Sequence, residues 1–137
     1  MSDLLALDSS AILAIVMEEA ESERFTSIVV SSRKILLSRV TFVETAIVLE
    51  NKFGAGGSKL LEEFLKDFRV ELVDLDAAQS NAALMAYWRF GRGLHSARLN
   101  FGDCFSYALA KVRGAPLLFK GGDFDKTDVV EPEWDNN

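Results

Sequence analysis

With 137 residues, 49% of them hydrophobic and two of them proline, the chain is sized for one domain that buries roughly two-thirds of its unfolded surface, and extended disorder away from the ends is excluded. One cysteine, Cys104, excludes an internal disulfide and most thiolate metal sites, as suits a reducing cytoplasm. The net charge of −6 argues against nonspecific nucleic-acid binding by the bare protein, because phosphate contacts need positive charge, unless divalent cations or locally gathered basic residues offset it.

The N-terminus has no basic region, and Asp3 and Asp8 interrupt its apolar run, so no signal peptide is expected. No apolar run is long enough to cross a bilayer. Leu4-Leu5-Ala6-Leu7 is continuous and apolar, like a strand buried on both faces, and it stops at Asp8. Ser9 and Ser10 lead into a helical pattern through Ala11, Ile12, Ile15 and Val16, continued by Phe25 and Ile28. The polar residues from Glu18 to Glu23 leave open one long helix or two short ones. A second strand is expected at 35–38 with Val40, followed by a helix over 42–53. Thr41 is the expected cap of that helix, with Glu44 three residues on, the capping-box spacing. Gly54-Ala55-Gly56-Gly57 is expected to end it and Ser58 to cap the next, whose buried side carries Leu60, Leu61, Phe64, Leu65 and Phe68.

Residues 70–75 predict a third strand ending at Asp76, then a helix from 77 to about 90 and a loop over 91–96. Asn100 caps the next helix, on which Phe101, Phe105, Ala108, Leu109 and Val112 recur along one side. Asp103 lies about 160° around the axis from Phe105, so it is expected off that stripe and beside the helix start, where a carboxylate meets free N–H groups and the helix dipole. Residues 116–119 read as a fourth strand and 129–130 as a short last one. Strands alternating with helices predict a three-layer α/β/α sandwich with a mostly parallel central sheet. It is expected to span 1–137 as one domain, with a short acidic tail over about 131–137.

In such sheets, helices that follow strands start above the strands' carboxyl ends, where ligands bind. Asp8, Glu44, Asp103 and Asp123 each sit just past a strand or at a helix start, so the topology draws them towards one crevice. Singly, each has an ordinary use as a cap or turn residue. Together they repel one another unless protons or cations compensate, and an oxygen-rich set of this kind suits Mg²⁺ or Mn²⁺. Such an ion would supply water activation and charge stabilisation for attack on a phosphodiester. One His, one Cys and no triad leave little room for a side-chain nucleophile.

These residues resemble the PIN-domain family and, within it, the VapC-type toxin ribonucleases of toxin–antitoxin pairs. The resemblance runs from Leu7-Asp8-Ser9-Ser10-Ala11 through Val43-Glu44-Thr45 and Leu99-Asn100-Phe101-Gly102-Asp103-Cys104-Phe105-Ser106-Tyr107-Ala108 to Pro116-Leu117-Leu118-Phe119-Lys120-Gly121. It implies a metal-dependent endoribonuclease using a metal-activated water, with Asp8, Glu44 and Asp103 as the first three acids. Relatives often carry an acidic or polar residue where this chain has Gly122; Asp123 is therefore taken as the fourth acid, with Asp125 in reserve. Ser9 resembles the small hydroxyl residue after the first Asp and would support that carboxylate. The resemblance also implies a homodimer held in check by a small VapB-like antitoxin.

Arg92, His95 and Arg98 crowd into one loop region and are candidate RNA contacts, against the reading of an ordinary solvated loop. Cys104, Tyr87 and Trp88 read as packing or interface residues. Two other readings compete. One is a receiver-like signalling domain, with an acidic pocket and Lys120 after a late strand; the other is a catalytically silent PIN-like binding module.

Overall fold

A computed structural model describes residues 3–134. Four strands, β1 (Leu4–Leu7), β2 (Lys34–Ser38), β3 (Glu71–Val73) and β4 (Leu117–Leu118), form a parallel sheet in the order β3-β2-β1-β4. Leu5 pairs with Ile35, Leu36 with Glu71 and Ala6 with Leu117. Six helices cover the sheet: α1 (Ser9–Val16), α2 (Ser22–Val30), α3 (Arg39–Phe53), α4 (Ala55–Asp67), α5 (Ala77–Phe90) and α6 (Phe101–Arg113). No helix is long and apolar enough to cross a membrane among the described residues.

Successive strand side chains point to opposite faces, and here each face has its own core. Leu5, Leu7, Ile35, Leu37 and Leu118 pack with α1 to α4, whereas Ala6, Leu36 and Leu117 pack with α5 and α6. This is the expected α/β/α sandwich. The chain runs outward from β1 to β3, then returns to place β4 on the other side of β1. That reversal opens a crevice at the carboxyl ends of β1 and β4, the position at which open α/β sheets bind ligands.

Several local expectations are corrected. The polar stretch after Val16 divides two helices. Helix α3 begins before Thr41, because Ser38 at the end of β2 turns its hydroxyl onto the Val40 N–H (3.2 Å) and caps first. Glu44 is consequently one turn further into the helix than a capping-box acid. Only Gly54, at φ 68°, breaks the chain between α3 and α4; Ser58 lies inside α4 with its hydroxyl on the Glu50 carboxylate. Gly57 is helical and lets α4 touch the α3 backbone: a Cβ there would stand 2.3 Å from the Leu49 carbonyl oxygen. No strand forms at 129–130, although the Leu117 N–H donates to the Val130 carbonyl (2.8 Å). The acidic tail has no regular structure over 131–134, and the rest of it lies outside the described residues.

The largest correction concerns α6. Its buried residues are Gly102, Asp103, Cys104, Ser106, Tyr107, Ala108, Leu109 and Ala110, while Phe101 is 75% exposed. The helix turns its small and polar residues inward because α5, α3 and the sheet enclose it from several sides, and small side chains permit the close approach. Asp103 is therefore inside, at 8% exposure.

Candidate active site

Asp8 ends β1 and caps α1: its Oδ2 accepts from the Ser10 N–H (3.1 Å) and from the Ser10 hydroxyl (2.6 Å). Its Oδ1 accepts from the Ser106 hydroxyl of α6 (2.6 Å). Asp103 occupies a reciprocal capping box in which Asn100 accepts from the Asp103 N–H (2.9 Å) and Asp103 accepts from the Asn100 N–H (3.0 Å). Glu44 reaches across from α3 to the start of α6. Gly102 makes room for it, since a Cβ at that position would lie 2.2 Å from the Glu44 Oε2.

The electrostatics bind these acids into one group. Burial, with the charges of Asp8, Asp123 and Glu44, pushes the Asp103 carboxyl up to about 7, against the lowering effect of the Asn100 N–H. Burial and the Asp8 charge also raise Glu44, which the Ser9 hydroxyl partly offsets. Ser9 thus serves Glu44, and Ser10 takes the expected place beside Asp8. Asp123 is exposed in the turn after β4 yet near enough to act on Asp103. Asp125 is exposed too, in the turn closed by its N–H on the Gly122 carbonyl (3.3 Å). Among the described residues no three His, Cys, Asp or Glu side chains already stand as a coordination set. The group is held by hydrogen bonds and left short of positive charge. An all-oxygen donor set with an acid pushed towards neutrality fits a hard divalent cation, which would remove that deficit.

The basic residues lie on the loop that leads into α6. Arg92, His95 and Arg98 lie on a loop closed by the Arg92 N–H on the Leu99 carbonyl and the Leu99 N–H on the Phe90 carbonyl (both 2.9 Å), directly before Asn100. Arg92 and Arg98 are exposed. His95 is partly committed to the loop itself, its Nδ1 accepting from the Ala97 N–H (2.9 Å) and its ring edge-on to Phe90. Cys104 is buried, and desolvation pushes its thiol up to about 11, which matches a packing role. Trp88 is at the surface, 63% exposed.

Sequence reading missed Ser10, Ser106, Thr41 and Gly102. Ser106 carried a usable signal, since it lies three residues after Asp103 and so on the same face of α6. The other three carried none that separates them from ordinary helix-start residues.

A PIN domain family model matches residues 5–130. The chain is 47% identical over 126 residues to a ribonuclease VapC of Mycolicibacterium smegmatis, covering 92% of this chain and 98% of that one. It is 45% identical to ribonuclease VapC30 of Mycobacterium tuberculosis over the same length, covering 92% and 96%. Among solved structures, VapBC2 of Rickettsia felis superposes with a TM-score of 0.76 at 15% identity, covering 96% of this chain and 99% of that one. VapC20 of M. tuberculosis superposes at 0.74 and 20% identity, covering 93% and 97%. With the family model matched over nearly the whole chain and relatives of this identity, the chain belongs to the PIN-domain family, in its VapC ribonuclease branch.

Proposed function

We propose that this protein is a divalent-metal-dependent endoribonuclease, the toxin of a toxin–antitoxin pair acting in the cytoplasm, with Asp8, Glu44, Asp103 and Asp123 as its acidic site. The observation that carries the reading is the convergence of charge on Asp103: three acids from separate elements act on one buried carboxyl at the carboxyl edge of the sheet. Relatives named as VapC ribonucleases supply the reaction class.

Asp8, Glu44 and Asp103 would hold Mg²⁺ or Mn²⁺, with Asp123 completing the set and Asp125 its alternative. The ion would activate water and stabilise the charge that develops on a phosphodiester under attack. The Ser9 hydroxyl favours the charged form of Glu44, and the Asn100 N–H that of Asp103, so both offset part of the burial that favours protonation. Arg92, His95 and Arg98 would meet the RNA backbone where the acids themselves repel it.

A VapB-like antitoxin is the expected inhibitor, as the fold's likeness to VapBC2 of Rickettsia felis and to a toxin–antitoxin complex of Klebsiella pneumoniae supports. A homodimer fits the surface. Phe101 borders two apolar grooves, one of about 740 Å³ with Val43, Ile47 and Val48 and one of about 420 Å³ with Leu75, Leu84 and Tyr87. The receiver-like reading loses its lysine, because Lys120 Nζ is paired with Glu19 (2.9 Å) and Glu21 (3.3 Å).

Asp103→Asn tests the reading, keeping volume and a cap-competent oxygen while removing charge. Loss of several kcal/mol of charge stabilisation predicts cleavage reduced by more than about a hundredfold, with folding retained. Cleavage of an RNA pool at the parental rate with Mn²⁺ would refute it.

A further inference from the structure

Asp8 is held more completely than its role as an acid requires. Each hydroxyl has one proton to give, and this fixes the direction of every bond around it. Ser106 spends its proton on Asp8 Oδ1 (2.6 Å), so its contact with Thr41 Oγ1 (3.2 Å) has Thr41 as donor. Ser10 spends its proton on Asp8 Oδ2 (2.6 Å), and its oxygen accepts from the Lys120 N–H (2.9 Å). Two hydroxyl relays, one from α3 through α6 and one from the end of β4 through α1, therefore terminate on the two oxygens of one carboxylate.

Ser106 and Thr41 are both fully buried. A buried hydroxyl on a helix is ordinarily satisfied within its own helix by a carbonyl one turn back. Thr45, buried on α3, does this, donating to the Thr41 carbonyl (2.7 Å). Ser106 departs from that pattern and reaches a residue 98 positions away in the chain. A group whose only need was hydrogen-bond satisfaction had a nearer acceptor.

We propose that Ser106, backed by Thr41, is a positioning residue that sets the rotation of the Asp8 carboxylate in the crevice. The inference rests on the reading of that crevice as a divalent-ion site. Ser106 acts through Asp8 and need not touch RNA. Partners that orient a metal-ligating carboxylate are worth about 10- to 100-fold in metal affinity or activity.

The test uses the full chain as parent, Ser106→Ala, Thr41→Val, which keeps the shape without the hydroxyl, and Thr41→Ser, which restores the hydroxyl. In the metal-free proteins, the Asp8 carboxyl carbon resonance should shift in Ser106→Ala and Thr41→Val and keep its parental position in Thr41→Ser. Calorimetry with Mn²⁺ should show affinity about tenfold or more weaker for Ser106→Ala, weaker to a smaller degree for Thr41→Val, and within about twofold of parent for Thr41→Ser. Cleavage at saturating Mn²⁺ should lose kcat with KM for RNA little changed. A folded Ser106→Ala protein with an unmoved Asp8 resonance and parental Mn²⁺ affinity overturns the proposal. Should Ser106→Ala not fold, the Thr41 pair decides it by the same two readings. A parent that binds no Mn²⁺ overturns the metal reading instead, and the metal-free resonances still decide the positioning role.

Discussion

Asp103 holds its proton in a pH range where the same residue in an unfolded chain has lost it. Burial, aided by Asp8, Asp123 and Glu44, raises its carboxyl to about 7, whereas an unfolded Asp titrates near about 3.9. The folded state thus binds the extra proton, and linkage makes its contribution to stability greatest below the unfolded value and lost as pH rises through the folded one. Glu44, also raised, acts with the same sign. The metal-free protein is expected to melt at a higher temperature near about pH 5 than near about pH 8, and Asp103→Asn should flatten most of that slope. Adding Mn²⁺ at the higher pH should restore the melting temperature, since an ion that binds only the folded state stabilises it. Calorimetric melts across pH, with and without chelator, check both. Gly102 is the second sensitive residue. Gly102→Ala places a methyl 2.2 Å from the Glu44 carboxylate, the mobile end of a side chain. The protein should fold and melt near the parent, while RNA cleavage falls by more than about tenfold as Glu44 is pushed aside.

Helix α3 brings Glu44 to the crevice, and its placement depends on how α4 packs against it. At Gly57 an added Cβ meets backbone, the Leu49 carbonyl oxygen at 2.3 Å and the Glu50 nitrogen at 2.7 Å, so the two helices would have to separate. Gly57→Ala is expected to destabilise by about 1–3 kcal/mol or more. One residue earlier, Gly56 faces open space, and Gly56→Ala should be neutral or stabilising by up to about 1 kcal/mol. Paired denaturant titrations measure the contrast. Helix starts were unevenly legible at this scale. The Asn100–Asp103 capping box lies within four residues and was read correctly. Thr41 was the expected cap of α3, and the place where β2 leaves the sheet gives that role to Ser38 instead.

At the scale of the whole molecule, the proposed homodimer would cover the apolar surface that runs from α3 across Phe101 to α5. The double change Ile47→Glu and Leu84→Glu, on α3 and α5, should convert a dimer to a monomer. Light scattering would show the mass halved with the circular dichroism spectrum unchanged; a parent already monomeric would refute the dimer. That β1 is buried on both faces followed from its continuous apolar run, and the structure places Leu5 and Leu7 in one core and Ala6 in the other. Phe101 did not follow. Its apolar side chain matched the periodicity of α6, yet it points to solvent, since periodicity finds a stripe without saying which neighbours the helix will have.

The sequence by itself determined the alternation of strands and helices and the caps Asp8 and Asn100. These depend on interactions within a turn or two of chain, where spacing specifies the contact. Tertiary structure alone decided that Asp103 is buried, that Glu44 needs the space left by Gly102, and that Ser106 hydrogen-bonds Asp8. Those contacts exist because β4 returns beside β1 and draws α6 over the carboxyl edge of the sheet, and a juxtaposition of residues 98 positions apart leaves no local spacing to read.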